Sequence, residues 1–527
     1  MTTTIERWDF FETTFNDEYA GNPFLEVTLQ AVFTCGSREI QVNGFYDGNG
    51  VFKVRCMPDE EGVWQYKTHS NVPALDGQEG EFVCTPSTGN NHGPVRVANT
   101  HHFAYADGTP YRPVGTTCYV WNLQGDALEE QTLNTLERAP FNKMRMSLFP
   151  KRYSFNTNEP PSYPFPGEIT RIWEPSMMRT ARFQDPPDFW DFERFNPVYF
   201  QRLEQRILDL RARGIEADLI LFHPYDAGAW GFDRMPREVN DRLLHYLVAR
   251  LGAIRNVWWS FANEYDLFVG RTMEDWDHYI HLVQQIDPYQ HLRSIHNCFA
   301  FYDHTKPWVT HCSVQHQVTA RVPAWREKYN KPVVIDECGY EGDIPHRWGN
   351  LSAEEMVIRF WMGFIQGGYV GHGETYLNEE EVLWWSKGGQ LRGESVPRIA
   401  FLREIFEQAP DLTPTEQFES EEINILSTED LTSFFSRMRD PLDINPNGFG
   451  TTCDAGGYNL EQGHYLFYFG LHQPGSATLN LSPDRHFKVD LVDTWNMTVE
   501  TAVENASGET RIEMPARKYM ALRIQRI

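Results

Sequence analysis

The sequence predicts an α/β protein in which a (β/α)8 TIM barrel is flanked by an N-terminal and a C-terminal β-sandwich. Short strands of alternating polarity run to about Thr88, eight apolar strands alternate with helical segments from Tyr111, and alternating strands return after about Thr415. We expect the domains to span residues 1–94, 95–414 and 415–527. A length of 527 residues agrees with this, since it suggests roughly three domains.

The N-terminal segment has the period-two pattern of short strands, interrupted by turn signals such as Asp47-Gly48-Asn49-Gly50. The predicted strands are Phe24–Phe33, Glu39–Tyr46, Val51–Cys56, Gly62–Thr68 and Glu81–Cys84. We interpret the segment as a β-sandwich that ends at the linker Asn91-His92-Gly93-Pro94.

The central segment alternates strands with helices. The predicted strands are Pro113–Trp121, Lys143–Pro150, Ala217–Pro224, Val257–Asn263, Leu292–Asn297, Ser313–Gln317, Val333–Glu337 and Gly368–Tyr376. The predicted helices are Leu128–Arg138, Pro197–Arg213, Val239–Leu251, Met273–Ile286, Arg321–Tyr329, Ala353–Ile365 and Val396–Glu407. The fifth unit lacks a good helix, because Cys298 to Trp308 has the composition of a loop. Eight such units predict a closed parallel barrel.

The C-terminal segment returns to short alternating strands. They are predicted at Tyr465–Gly470, Phe487–Val492, Thr498–Val503 and Met520–Ile524, with a long loop at Asp440–Thr452. A second insertion, Arg152–Asn196, is rich in proline and aromatic residues and is expected to wall one side of the barrel mouth.

Composition and charge limit the class of partner. The chain has 47 basic and 73 acidic residues, a net charge of −26, which disfavours nucleic acid and anionic membranes and favours a neutral ligand. The N-terminal MTTTIERWDFFETTF has no apolar run of the signal-peptide kind, and no stretch reaches the length of a membrane span. The 8 cysteines have no CxxC spacing and resemble reduced thiols. We therefore expect a cytoplasmic protein.

Two predicted barrel strands end in glutamates. The run VWWSFA leads into Asn263 and Glu264, and the run VVI leads to Glu337. Because the carboxyl ends of barrel strands surround one pocket, we expect the two carboxylates on opposite sides of it. Cleavage of a glycosidic bond needs such a pair, one to protonate the leaving oxygen and one to attack the anomeric carbon or activate water. Each glutamate taken alone could instead cap a helix or pair with an arginine.

These motifs resemble the clan of retaining (β/α)8 glycoside hydrolases. More narrowly, the layout resembles uncharacterised glycoside hydrolases with a DUF5060-type sandwich, a DUF4038-type barrel and a DUF5605-type C-terminal domain. The narrower resemblance rests on Ala106–Pro110 leading into Gly115–Thr117, on Trp258–Glu264 and on Gly371–Tyr376. It covers nearly the whole chain, and its motifs are specific to the clan but not to a substrate.

The resemblance implies a role for each residue. Glu264 would be the acid/base and Glu337 the nucleophile, with carboxyl groups roughly 5 to 5.5 Å apart. Arg145 would hold the nucleophile, although a barrel-interior salt bridge is an equally good interpretation, and Asn263 would contact the sugar 2-hydroxyl. Glu374 adds a third carboxylate that could bind a hydroxyl pair or, if the strand assignment is shifted, be the nucleophile.

Histidines fall at or near strand ends, at His223, His296, His311, His316 and His372. Imidazole and carboxylate are good zinc ligands, so a metal-dependent hydrolase is a rival hypothesis. No HxH or HExxH spacing occurs among them, and we predict no metal site. Hydrogen bonding to sugar hydroxyls, above all by His223 and His296, is favoured, with a structural role as the alternative.

Aromatic residues follow or end several predicted strands and could stack on sugar rings, although ordinary packing would use them as well. They are Tyr119, Trp121, Phe149, Tyr225, Trp230, Tyr340, Trp384 and Trp385. The pair Trp384-Trp385 is the strongest candidate for a sugar platform.

The sequence thus predicts a retaining glycoside hydrolase that removes terminal sugars from small oligosaccharides or glycosides by double displacement, without a cofactor. The insertion Arg152–Asn196 and the flanking sandwiches favour a closed pocket and exo-action. The alternatives are a non-catalytic carbohydrate-binding protein on a barrel scaffold and the metal-dependent hydrolase. Sandwiches beside a barrel often supply subunit contacts, which leaves a homo-oligomer open.

Overall fold

The structure, a computed structural model, describes residues 3–153, 155–169, 189–226, 229–414, 423–424 and 453–527. The chain divides into two compact units, one of residues 1–315 and 377–390 and one of residues 316–376 and 391–527. The predicted loop Asp440–Thr452 lies outside the described residues, as do residues 154 and 170–188 of the predicted insertion.

Eight short strands form the barrel sheet. In chain order, and named here the first to the eighth barrel strand, they are Gly115–Thr117, Lys143–Ser147, Glu216–Ile220, Val257–Ser260, Arg293–Ser294, Cys312–Gln315, Val333–Glu337 and Tyr369–His372. Their order in the sheet is 5-4-3-2-1-8-7-6, the cyclic order of a (β/α)8 barrel. A parallel bridge between His296 and Ser313 joins the chain after the fifth strand to the sixth. The predicted TIM-like barrel is confirmed.

The helices of the barrel region follow its strands. They are Asp126–Leu136, Pro197–Ala212, Arg237–Leu251, Met273–Ile286, Val322–Tyr329, Ala353–Ile365 and Ser395–Glu407, with the short helix Trp384–Lys387. Short 3-10 turns occur at Trp121–Leu123, Phe232–Arg234, Tyr265–Leu267, Thr319–Arg321 and Arg347–Gly349. Capping boxes at Thr272 and Ser352 fix two helix starts through side-chain bonds to the first turn. Residues 298–308 contain no helix, as their composition predicts.

The N-terminal domain is rich in strands. They are Thr3–Glu6, Phe11–Asn16, Leu29–Cys35, Arg38–Asn43, Phe45–Gly48, Val51–Cys56, Gly62–Ser70 and Glu79–Thr85, in sheets of five and three strands. Fully buried Phe33, Trp64 and Phe82 lie in its core. The predicted strand Phe24–Phe33 starts late because Asn22 caps a one-turn helix, Pro23–Glu26, that has proline in its first turn. A three-stranded sheet of Val95–Ala98, His102–Tyr105 and Pro110–Tyr111 leads to the barrel.

The C-terminal domain has its own apolar core. Its strands are Thr413–Pro414, Ile423–Asn424, Ala455–Asn459, His464–Tyr468, Ser476–Leu481, Phe487–Asp493, Thr498–Ala506, Glu509–Glu513 and Met520–Arg526, in sheets of six and three strands. The central strands bury Phe467, Val489 and Leu522 between them and the smaller sheet. Within the part of the chain that the structure describes, no helix is long and apolar enough to cross a membrane.

Candidate active site

Glu264 lies in a turn that directly follows the fourth barrel strand. Its backbone has φ +49° and ψ +56°, a left-handed conformation that costs a non-glycine residue roughly 1 kcal/mol or more. The turn Tyr265–Leu267 follows Glu264 and is held in place by Asp266. The carboxylate of Asp266 accepts bonds of 2.6 to 2.8 Å from the backbone N–H groups of residues 298–300. The loops after the fourth and fifth strands are thereby tied together around Glu264.

The carboxylate of Glu264 accepts hydrogen bonds from two described side chains. Gln315 Nε2 donates to Oε1 at 3.0 Å, and the Tyr225 hydroxyl donates to Oε2. Tyr225 in turn accepts a bond of 3.0 Å from Asn263 Nδ2. The side chain of Glu264 is therefore held in one place as an acceptor.

Arg145, on the second barrel strand, donates a hydrogen bond to Asn263. Its guanidinium donates to Asn263 Oδ1 at 2.8 Å, to Ser260 Oγ at 3.1 Å and to Asp218 Oδ2 at 3.1 Å. Lys143 Nζ lies 2.5 Å from the same Asp218 oxygen, and all three charged side chains are 1% exposed. The barrel-interior salt bridge expected as one of two roles for Arg145 is present. Asn263, 1% exposed, has its oxygen and its nitrogen bonded to protein.

Glu337 is the last residue of the seventh barrel strand, in the second compact unit. Its side chain is 8% exposed, and its backbone oxygen accepts a bond of 3.0 Å from the N–H of His316. The neighbouring eighth strand approaches closely, because a Cβ on Gly371 would lie 2.6 Å from the carbonyl oxygen of Asp336. Only glycine fits there, so the backbone that carries Glu337 has little freedom.

A buried cluster of Glu341, His372 and Glu374 lies at the end of the eighth strand, and its potential ligand atoms are within 4.8 Å of one another. The backbone N–H groups of Arg392 and Gly393 donate to Glu374 at 2.7 and 2.9 Å. Those of residues 394 and 395 donate to Glu341 at 2.8 and 3.2 Å, at the start of the helix Ser395–Glu407. The two carboxylates therefore anchor this segment. His372 Nε2 lies 3.6 Å from Glu374 Oε1.

Lys151, which follows the second strand, lies among aromatic rings. Its Nζ is 3.7 Å from the ring centroid of Tyr119, 4.4 Å from Tyr225, 4.6 Å from Trp385 and 5.3 Å from Tyr153. Lys151 is 3% exposed, so the rings enclose most of the side chain. Tyr119 and Trp385, both predicted to contact sugar, thus lie beside Tyr225 in the same unit.

The histidines predicted as sugar ligands are placed differently from one another. Burial lowers the pKa of His223 to about 4, and its ring stacks on Tyr225 at 5.5 Å. Burial also lowers the pKa of His316, whose Nδ1 accepts a bond of 3.0 Å from the N–H of Val318. His296 and His372 are fully buried.

The remaining predicted aromatic residues are enclosed by protein. Trp121 lies fully buried in a 3-10 turn, and Trp384 donates its indole N–H to Thr116 Oγ1 at 2.9 Å. Tyr340, 2% exposed, donates its backbone N–H to the carbonyl of Trp348 at 2.7 Å.

Sequence reasoning missed three polar residues: Gln315, which bonds to Glu264, Asp218, which pairs with Arg145, and Lys151, which lies over the ring of Tyr225. Gln315 ends the sixth strand, so the rule that strand ends line the active site would have found it. Asp218 is a carboxylate in the middle of a buried strand, which is itself a signal that it has a charged partner. Lys151 gives no such signal, because three of its four rings, Tyr119, Tyr225 and Trp385, are distant in the sequence.

Three ranges of the chain match known domain families. Residues 97–410 match the family described as "Apiosidase-like, catalytic domain", and residues 4–71 and 454–525 match the domain families DUF5060 and DUF5605, both of unknown function. No curated protein matches the chain.

The chain is also similar to solved structures. A Bacteroides vulgatus ATCC 8482 protein, provisionally described as a glycoside hydrolase, is 37% identical, with 100% of both chains covered and a TM-score of 0.86. A glycoside hydrolase family 5 structure from the same organism is 14% identical, with 82% of this chain and 94% of that one covered and a TM-score of 0.56, a likeness of fold alone.

Proposed function

Because this chain belongs to the Apiosidase-like catalytic-domain family and has a glycoside-hydrolase-like barrel, we propose that it is a retaining glycoside hydrolase. Glu264 is its acid/base and Glu337 its nucleophile. The observation that carries the proposal is the environment of Glu264, which lies in a left-handed turn after the fourth strand with its carboxylate bonded to Tyr225 and Gln315. A glutamate that only capped a turn would accept hydrogen bonds from backbone N–H groups, whereas the Glu264 carboxylate accepts them from the side chains of Tyr225 and Gln315.

The proposed reaction has two steps. In the first, a Glu337 carboxylate oxygen attacks the anomeric carbon while Glu264 gives its proton to the leaving oxygen, so that a glycosyl ester forms on Glu337 and the aglycone departs. In the second, Glu264 takes a proton from water, the water oxygen attacks the anomeric carbon, and the Glu337 ester bond breaks. The sugar leaves with the configuration it had in the substrate.

The contacts of Glu264 suit the second half of this cycle. The hydrogen bonds from Tyr225 and Gln315 hold the carboxylate that takes a proton from water in the second step. Arg145 orients Asn263, whose amide in turn fixes Tyr225. These hydrogen bonds place the proposed acid/base.

The family name points to the first substrate to test, a glycoside of apiose. The net charge of −26 agrees with a neutral sugar rather than an anionic one. We propose that the enzyme removes a terminal sugar from a small glycoside. Release of the terminal residue alone from an oligosaccharide would support exo-action, and release of internal fragments would exclude it.

The test is hydrolysis of aryl glycosides, with β-apiofuranoside first and galactoside, glucoside, xyloside and arabinofuranosides beside it. Glu337→Gly should lose activity on the cleaved substrate. Azide should restore activity by attacking the anomeric carbon, so that the phenol is released and the sugar is recovered as a glycosyl azide of inverted configuration. Glu380→Gly, an exposed glutamate with the same substitution, is the control and should keep full activity. If Glu337→Gly keeps wild-type activity, Glu337 is not the nucleophile. Calorimetric binding of the glycosides without turnover would favour the carbohydrate-binding alternative.

A further inference from the structure

Tyr153, in the loop after the second barrel strand, has a backbone that is fixed by hydrogen bonds. Its N–H donates to the carbonyl of Asn156 at 3.0 Å, and its own carbonyl accepts a bond of 2.8 Å from the N–H of Asn156. Asn156, 4% exposed, accepts a further bond of 3.2 Å from Gln124 Nε2. The N–H of Arg152 donates to the carbonyl of Tyr225 at 2.9 Å, which joins this loop to the loop after the third strand. The fold therefore sets the position of Tyr153 relative to Tyr225.

The ring of Tyr153 lies close to the tyrosine that binds Glu264. One atom, Lys151 Nζ, is 5.3 Å from the ring centroid of Tyr153 and 4.4 Å from that of Tyr225, whose hydroxyl donates to Glu264. The Tyr153 ring also packs against Trp385, with centroids 5.8 Å apart and planes at 76°. Tyr153 and Tyr225 therefore flank the same point, and packing against Trp385 restrains the Tyr153 ring.

The hydroxyl of Tyr153 is open to a ligand. Within the part of the chain that the structure describes it makes no hydrogen bond, and the residue is half-buried. Burial, followed by the charge of Glu264, raises the pKa of Tyr153, so the hydroxyl keeps its proton near pH 7 and is a donor. Charges act on one another mainly within about 10 Å at ordinary salt, so this hydroxyl lies near Glu264. The Tyr225 hydroxyl, in contrast, is already bonded to Glu264 and Asn263.

The place of Tyr153 decides which part of a substrate it would meet. In the proposed reaction Glu264 protonates the leaving oxygen, so the leaving group lies on the Glu264 side of the bond that breaks. A sugar that leaves carries hydroxyl groups on the carbons beside this oxygen, whereas a simple phenol carries none. A hydroxyl donor beside Glu264 therefore suits a sugar as the leaving group.

We propose that Tyr153 is a substrate-binding residue for the leaving group, and that its hydroxyl donates a hydrogen bond to a second sugar residue. The inference rests on the proposed function and deepens it, because it names the class of leaving group. The preferred substrate is a glycoside whose terminal sugar is attached to another sugar rather than to an aromatic alcohol. Tyr153 binds this second sugar and takes no part in proton transfer.

The test compares kcat/KM for two substrates that share a terminal sugar. One is the phenyl glycoside of the sugar that the wild type cleaves. The other is a disaccharide, chosen as the fastest from the four in which that sugar is linked to O2, O3, O4 or O6 of methyl β-glucoside. Tyr153→Phe removes one oxygen atom and keeps the ring, so the ratio of the disaccharide value to the phenyl glycoside value should fall by about three- to tenfold. The ratio does not depend on the fraction of folded enzyme.

The matched control is Tyr66→Phe. Tyr66 is a half-buried tyrosine of the N-terminal domain, with its hydroxyl 3.3 Å from Thr13 Oγ1, and its variant should keep the wild-type ratio. Tyr153→Ala should lower the ratio at least as much as Tyr153→Phe does. If Tyr153→Phe keeps the wild-type ratio, or if the wild type cleaves none of the four disaccharides, the inference is overturned. An equal fall in Tyr66→Phe would overturn it too.

Failure of the proposed function would give a different result. If Glu264→Gln keeps wild-type kcat/KM on the disaccharide, Glu264 is not the acid/base, and the reason to place the leaving group beside Tyr153 is lost with it. If Glu264→Gln is inactive on the disaccharide and Tyr153→Phe keeps the wild-type ratio, only the inference about Tyr153 fails.

Discussion

Replacing Asp218 with asparagine removes the shared anion of the barrel interior. Asp218 Oδ2 lies 2.5 Å from Lys143 Nζ and 3.1 Å from Arg145 Nη1, and the three side chains are each 1% exposed. The asparagine has nearly the same shape but no charge. Two buried cations therefore lose the carboxylate that offsets their desolvation.

The expected cost follows from the burial of the network. Breaking a buried ion pair by removing one partner destabilises a protein by about 3–5 kcal/mol, because the remaining charge stays buried. The third barrel strand, which carries Asp218, pairs with the second and fourth strands, so the loss falls on the barrel itself. We expect Asp218→Asn to lower the free energy of unfolding of the barrel by about 3–5 kcal/mol.

The assay is urea denaturation followed by tryptophan fluorescence. Lys143 Nζ lies 5.4 Å over the ring of Trp258, so this fluorophore reports on the barrel interior. The control is Lys67→Met, which breaks the exposed pair of Lys67 and Glu79 and should leave the curve unchanged. An unfolding curve of Asp218→Asn that superposes on the wild type would refute the electrostatic reasoning.

Two further predictions concern stability. Arg250 is 1% exposed, and its Nη2 lies 2.7 Å from Asp47 and its Nε 2.9 Å from Glu204. Arg250→Met should therefore lower the free energy of unfolding by about 3–5 kcal/mol, measured by urea denaturation. An unchanged free energy of unfolding would show that these ion pairs do not stabilise the unit. Burial raises the pKa of Glu216 from 4.5 to about 8, although the indole N–H of Trp258 donates a hydrogen bond to its carboxylate. Between those two pH values the folded protein therefore holds a proton on Glu216 that the unfolded chain has released. Stability should therefore fall as pH rises through this window, and Glu216→Gln should flatten the fall in thermal unfolding measured against pH; an unchanged slope would contradict the assignment.

The parts of the fold with a strong local signal were predictable from the sequence. The seventh strand, Val333–Glu337, has the predicted bounds because an apolar run ends sharply in charges. The helices Met273–Ile286 and Ala353–Ile365 match as well, since Thr272 and Ser352 cap them. The first barrel strand is shorter than predicted, Gly115–Thr117, because the chain leaves the sheet and enters the turn that buries Trp121.

The environment of the acid/base candidate was not predictable in the same way. Glu264 itself follows from strand position, but its partner Tyr225 comes from the loop after the third strand and its partner Gln315 from the end of the sixth strand. The rings around Lys151 include Tyr119 and Trp385, which are distant from it in the chain, so no local sequence pattern predicts these contacts. Local pattern gives positions at strand ends, and only the tertiary fold decides which side chains meet there.

The most direct test of the central proposal is the configuration of the product formed in the presence of methanol. Methanol replaces water in the second step and yields a methyl glycoside whose anomeric configuration is fixed and can be read by proton NMR. Double displacement through Glu337 predicts a methyl glycoside with the configuration of the substrate. A methyl glycoside of inverted configuration would contradict the proposal, because a single displacement would then have taken place.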